Sequence, residues 1–269
     1  MMTGPALPAE FLRKPLAHRG LHDAKAAGRP ENSRAAVRAA VAQGYGVEID
    51  VQLSRDGVAM VFHDDRLARM TGHRGKLCEH DAATLAGLAL KDGDGEGIPR
   101  LGDLMAEIAG RAPVLIELKD QSGGRHLSDG RLEAAVADAV HGCGGPVAAM
   151  SFVPAAVMAL AHAAPDLPRG LTTGRWTLRD APRLGAVARA HLRAIRDFDS
   201  TGASFVSHDW RDLARAELAT LKAQGVPILC WTLRSPREEA IARKTADGIT
   251  FEGYLPTLPP KAPVGHGPA

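Results

Sequence analysis

The chain reads as short apolar runs separated by longer stretches with helical spacing of apolar positions. Val47 to Leu53 carries the clearest strand pattern. Val47, Ile49, Val51 and Leu53 alternate there with Glu48, Asp50 and Gln52, the period of a strand packed on one face. Val58 to Phe62 is a second extended run, set off by the Asp56-Gly57 turn signal, and the two are expected to form a hairpin or a bent continuation. Further strands are predicted at Leu16–His18, Val114–Leu118, Val147–Met150, Gly170–Thr172, Phe205-Val206, Val226–Leu233 and Gly248–Thr250. Helices are predicted between them, over Asn32–Gln43, Arg100–Ala109, Leu127–Val140, Pro154–His162, Leu178–Ala190, Asp212–Gln224 and Pro236–Lys244.

Strands alternating with helices of this size predict βαβ units and a parallel sheet. About eight such units fit a (β/α)₈ TIM barrel in 269 residues. From Asp64 to Gly97 the pattern turns irregular and polar and ends in a Gly/Asp-rich tract read as a flexible linker. A small insertion at about 64–97 within a single catalytic barrel over residues 1–255 is therefore expected, followed by a Pro/Gly-rich tail at 256–269.

Composition narrows the function classes. Thirty-three basic against 31 acidic residues give a net charge of +2, which argues against a nucleic-acid partner. Three cysteines without a CxxC pair do not build a disulfide framework. No apolar run is long enough to span a bilayer and no signal peptide is evident, so a cytoplasmic location without stable membrane insertion is expected. A homo-oligomer is compatible with this composition.

In such a barrel the reacting groups sit at the C-terminal ends of the strands, and several predicted strands end in polar residues. The first ends in His18-Arg19-Gly20, the second runs through Glu48-Ile49-Asp50, the next run ends in His63-Asp64, and the fourth segment carries Glu117 and Lys119. Residues i and i+2 of a strand share a face. Glu48 and Asp50, and Glu117 with Lys119, would thus point together into the barrel mouth. Three inward carboxylates repel one another unless a cation joins them, and they are hard oxygen ligands suited to Mg²⁺ or Ca²⁺. Arg19 and Lys119 supply the positive charge that holds a phosphate. An unperturbed histidine side chain ionises near neutrality, so residues of this type at the strand ends, His18 and His63, suit proton transfer in both directions. Most of the eleven histidines are read as exposed or structural. Trp231 and Phe152 are read either as core aromatics or as walls of the substrate pocket.

Taken in order, His18-Arg19-Gly20, Pro30-Glu31-Asn32-Ser33, Glu48-Ile49-Asp50, His63-Asp64, Glu117-Leu118-Lys119, Trp231-Thr232-Leu233 and Asp247-Gly248-Ile249-Thr250 resemble the motifs of the glycerophosphodiester phosphodiesterase family. The resemblance runs from about Leu16 to Tyr254. It implies metal-dependent hydrolysis of glycerophosphodiesters to sn-glycerol 3-phosphate and an alcohol. It implies metal ligands at Glu48, Asp50 and Glu117, acid/base histidines at His18 and His63, phosphate-binding residues at Arg19 and Lys119, and a supporting role for Glu31. Trp231 is the candidate wall for substrate. Two departures stand out: Phe251-Glu252 follows Thr250 where the family often has Thr-Asp, and Ser33 replaces the usual Thr. The alternatives are a phospholipase D-like enzyme acting on lysophospholipids and a catalytically inactive barrel that binds phosphodiesters.

Overall fold

The computed structural model describes residues 4–259. Most of the predicted Pro/Gly-rich tail lies outside the described residues. Its start does not: the carbonyl of Pro256 accepts the Tyr45 hydroxyl at 2.7 Å.

Nine strands form one sheet: β1 (Leu16–His18), β2 (Gly46–Leu53), β3 (Ala59–Val61), β4 (Val114–Leu118), β5 (Val147–Ser151), β6 (Arg169–Thr173), β7 (Phe205–Asp209), β8 (Ile228–Leu233) and β9 (Gly248–Phe251). All but β3 are parallel neighbours, and β1 pairs with both β2 and β9, which closes an eight-stranded barrel with helices between the strands. β3 folds back antiparallel onto the end of β2, with Val51 opposite Val61 and Leu53 opposite Ala59. The expected TIM barrel and hairpin are both present.

The alternation in β2 and β4 explains the layering. Val47, Ile49 and Val51, with Val114, Ile116 and Leu118, pack outward against Leu104, Ile108 and Val136 of the surrounding helices. Each such aliphatic side chain contributes roughly 1.5–3 kcal/mol on full burial. The opposite faces fill the barrel. Toward its N-terminal end the interior is apolar: Leu16, Leu115, Ala148, Phe205 and Leu229 meet Leu7 and Phe11. The Phe205 ring lies so close to β6 that a Cβ at Gly170 would come within 2.4 Å of it, so this layer closes only with glycine there. Toward the C-terminal end the inward residues are Glu48, Asp50 and Glu117, all buried.

Three expectations are corrected. The segment from Asp64 to Gly97 is not irregular throughout. It holds short helices at Ala68–Thr71 and Ala82–Ala86 and a 3₁₀ turn at Leu77–Glu79. Phe62, Leu67, Leu77, Leu85, Leu90 and Ile98 build a core of their own there. Their spacing follows no single period, which hid them. The Gly93–Gly97 tract is not a flexible linker either. The Glu96 carboxylate accepts the backbone N–H groups of Arg34 (3.2 Å) and Ala35 (3.1 Å). With the Ser33 hydroxyl, which accepts from Ala36 N at 3.0 Å, it satisfies the free amides at the start of helix Arg34–Ala42.

The third correction concerns helix starts. The helix predicted over Leu178–Ala190 occupies Ala186–Arg193. Before it the Asp180 carboxylate accepts both the backbone N–H and the hydroxyl of Thr177 at 2.8 Å, a local turn that competes with the helix. The helices predicted from Leu127 and Asp212 likewise begin late, at Arg131 and Ala216.

Gly20 sets the exit from β1. It has φ 77°, and a Cβ there would lie 2.8 Å from the Ala36 carbonyl carbon and 2.9 Å from Val37 N. Gly20→Ala is expected to destabilise the protein by at least ~2 kcal/mol through positive-φ strain and collision with the helix backbone. Urea unfolding measures this, and a wild-type midpoint would contradict the close contact.

Candidate active site

The residues singled out from the sequence converge on the C-terminal mouth of the barrel. His18, Arg19, Glu48, Asp50, His63, Glu117, Lys119 and Trp231 line one cavity of about 220 Å³. Glu31 stands behind it, joined to Arg19 at 2.8 Å.

The floor is the carboxylate cluster. Parallel pairing sets Asp50 of β2 beside Glu117 of β4, and Glu48 lies one turn of the pleat below. One oxygen from each of the three lies within 4.8 Å of the others. Burial, and then the charges of Asp50 and Glu117, push the Glu48 carboxyl well above the usual range. Burial acts upward on Asp50 as well, but Lys119, His63 and Arg19 outweigh it and hold that carboxyl below its ordinary value. Lys119 Nζ sits 2.8 Å from Glu117 Oε1 and 3.3 Å from Asp50 Oδ1. Arg19 approaches from the β1 side. Its backbone N–H donates to Glu48 Oε2 at 3.1 Å, and its Nε lies 3.2 Å from Asp50 Oδ2. Asn32 fixes the Asp50 carboxylate by donating to Oδ2 at 2.9 Å, while its Oδ1 accepts from Asp50 N at 3.2 Å. The three carboxylates are hard oxygen donors brought together in a buried site, and their mutual repulsion is relieved by a proton or by a cation. They fit a divalent metal.

Each histidine is held by its own carboxylate. His18 Nδ1 lies 2.8 Å from Glu252 Oε2, and its Nε2 lies 3.9 Å from Glu48 Oε2. His63 Nδ1 lies 2.8 Å from Asp64 Oδ1. Holding Nδ1 fixes the ring and leaves Nε2 for the cavity. The loop carrying His63 is fixed in turn by Gln52, whose amide donates to the carbonyls of Phe62 (3.3 Å), His63 (3.0 Å) and Asp64 (2.6 Å).

Arg69 of the insertion ties the two halves together. It donates to Asp64 Oδ1 at 2.9 Å and to the two Glu31 oxygens at 2.7 and 2.8 Å. Glu31 then reaches Arg19. A continuous ion-pair chain thus runs from the His63 carboxylate partner to the carboxylate floor.

A family model, the glycerophosphoryl diester phosphodiesterase family, matches residues 18–251. The chain belongs to this family. Membership makes it a glycerophosphodiester phosphodiesterase, a hydrolase. A curated relative, YhdW of Bacillus subtilis strain 168, is 28% identical over 250 residues, 88% of this chain and 93% of its own. The glycerophosphodiester phosphodiesterase of Caldanaerobacter subterraneus is 35% identical over 114 residues, 40% of this chain and 45% of its own. Among solved structures, an Oleispira antarctica phosphodiesterase in complex with the product sn-glycerol-3-phosphate superposes with a TM-score of 0.70 at 25% identity, covering 90% of this chain and 93% of that one.

Sequence reasoning about this glycerophosphodiester phosphodiesterase missed Arg69 and the partnership of Glu252 with His18. Glu252 was visible as a polar residue after the last strand, and only as a departure from the family's Thr-Asp. The longer side chain still delivers a carboxylate to His18. For Arg69 the sequence held no signal, because its partners lie 5 and 38 residues away. The Asn32–Asp50 pair was hidden in the Pro30–Ser33 motif.

Glu252 also faces Arg234 at 3.0 Å and His22 at 3.9 Å. The His18 hydrogen bond, helped by the charges of His18 and Arg234, pulls its carboxyl down from the ordinary 4.5 to about 2. A depressed carboxyl adds stability above its unfolded value and loses it as pH falls toward the folded one. The wild type is thus expected to lose more stability than Glu252→Gln between pH 4.5 and 2, read from denaturant midpoints. Parallel pH profiles for the two proteins would contradict the pairing.

Proposed function

We propose that the enzyme hydrolyses glycerophosphodiesters to sn-glycerol 3-phosphate and an alcohol with Mg²⁺ or Ca²⁺ held by Glu48, Asp50 and Glu117, and with His18 and His63 as the acid/base pair. The observation that carries this reading is the buried carboxylate triad sharing one cavity with two histidines whose Nδ1 atoms are both anchored at 2.8 Å. With all three carboxylates ionised, Lys119 and Arg19 leave one negative charge uncompensated on the floor. A divalent cation reverses that to one positive charge, the complement of a phosphodiester monoanion.

When bound, the cation supplies Lewis-acid polarisation of a phosphoryl oxygen. The protein's groups do the rest. Arg19 and Lys119 hold phosphoryl oxygens and stabilise the charge that builds on them. One histidine removes a proton from the attacking oxygen as it bonds to phosphorus. The attacker is water or the substrate's own glycerol hydroxyl, the latter giving a cyclic phosphate that water then opens to glycerol 3-phosphate. The other gives a proton to the alkoxide as the phosphorus–oxygen bond to the alcohol breaks. Both transfers need a ring nitrogen presented in one orientation, which Glu252 and Asp64 provide. Glu31 and Arg69 keep Arg19 and Asp64 in register. The Oleispira relative with bound sn-glycerol-3-phosphate supports the product assignment.

His18→Ala and His63→Ala are each expected to lower turnover at least ~100-fold, the usual size of an acid/base contribution. Steady-state release of glycerol 3-phosphate from glycerophosphodiesters measures it, and near-normal rates in both variants would sink the histidine roles. Exhaustive chelation is expected to abolish that release and Mg²⁺ or Ca²⁺ to restore it. Full activity in chelator would refute the metal role.

A further inference from the structure

A second cavity of about 420 Å³ opens beside the first and shares Phe152, Trp231, Asp209, Arg211, Glu117 and Lys119 with it. Its volume suits a small ligand. Because it continues from the phosphodiester site, it is the natural place for the half of the substrate that leaves.

The walls are unusual for this chain. Aromatic residues make up only 4% of the sequence, with three tryptophans in all, and two of those three are here. Phe152 stands edge-on to Trp176 and to Trp231, with ring centroids 5.7 and 5.5 Å away. The His126 ring lies 5.3 Å from Trp176. The Trp231 indole N–H is spent on the Ser207 carbonyl at 3.1 Å, which fixes that ring in place.

Aromatic walls suit two kinds of alcohol: a quaternary ammonium, drawn to ring faces, or a polyol, whose C–H groups lie against a ring while its hydroxyls bond at the rim. The charges decide between them. Four carboxylates line this cavity, Glu117, Asp120, Asp180 and Asp209, and each already has partners. Glu117 has Lys119 at 2.8 Å. Asp120 accepts backbone N–H groups from Ser122, Gly124 and His126 at 2.7–3.2 Å. Asp180 accepts from Thr177. Asp209 is flanked by Arg175 Nε and Arg211 Nη1, each at 3.7 Å. An ammonium group entering here meets three cations, Lys119, Arg175 and Arg211, beside carboxylates whose oxygens already hold donors. A second anion meets the four carboxylates. A neutral polyol meets neither cost, and carboxylates and guanidinium groups together accept and donate to its hydroxyls.

Resting on the hydrolase reading above, we infer that this cavity is the leaving-group subsite and that it selects uncharged polyhydroxy alcohols over cationic ones. The test compares kcat/KM for glycerophosphoinositol and glycerophosphoglycerol with glycerophosphocholine and glycerophosphoethanolamine, at saturating Mg²⁺ or Ca²⁺. The polyol diesters are expected to be favoured by at least ~10-fold, a modest discrimination for hydrogen-bonded hydroxyls. Trp176→Ala, and independently the surface change Arg175→Gln, are expected to shrink that ratio, chiefly through a higher KM for the polyol diesters. Equal or reversed preference in the wild type would overturn the inference alone, as would a ratio unmoved in both variants. No turnover of any of the four diesters would overturn it together with the hydrolase reading.

Discussion

Three carboxylates buried within 4.8 Å of one another set the terms for everything at this barrel mouth. At that separation and an effective dielectric of ~20, each pair of charges repels by about 3–4 kcal/mol. No protein builds such a cluster in its interior without compensation on every side. Lys119 and Arg19 bring charge, Asn32 brings a paired amide contact, and the strand register between β2 and β4 keeps Asp50 and Glu117 side by side. The barrel divides its interior to allow this. The N-terminal half is sealed with Phe11, Phe205 and Leu229, and the polar groups are confined to the open half.

The insertion after β3 belongs to the same arrangement. Its core holds the His63 loop against the barrel, and Arg69 carries charge compensation from Asp64 to Glu31 and on to Arg19. The two histidines arrive on different segments, His18 at the end of β1 and His63 in the loop after β3, yet each receives a carboxylate at Nδ1. Glu252 does this for His18 from the last barrel strand, the neighbour of the first. Closure of the barrel therefore completes the site: without the β1–β9 pairing His18 loses its partner.

Much of this was legible in the sequence because it is local. The alternation through Val47–Leu53 put Glu48 and Asp50 on one face, and the apolar run at Val114–Leu118 put Glu117 with Lys119. What stayed hidden depends on the fold. Arg69 acts on residues brought close only by the packing of the insertion. Phe62, Leu67, Leu77 and Leu85 form a core without a period to announce it. The helix starts moved because turn chemistry, such as Thr177 with Asp180, is settled by hydrogen bonds that apolar spacing does not report. The aromatic cluster of Phe152, Trp176 and Trp231 gathers the segments after β5 and β6 with strand β8, so no stretch of sequence shows it.

Whether the buried triad is a cation site is the question on which the reaction chemistry turns. Isothermal titration of the purified protein with Mg²⁺ and with Ca²⁺ answers it without relying on catalysis, with Glu48→Gln and Asp50→Asn as the comparison. The structure predicts one divalent ion per chain in the wild type and loss of that binding in both variants. Absence of binding in the wild type, or binding unchanged by either substitution, would contradict it.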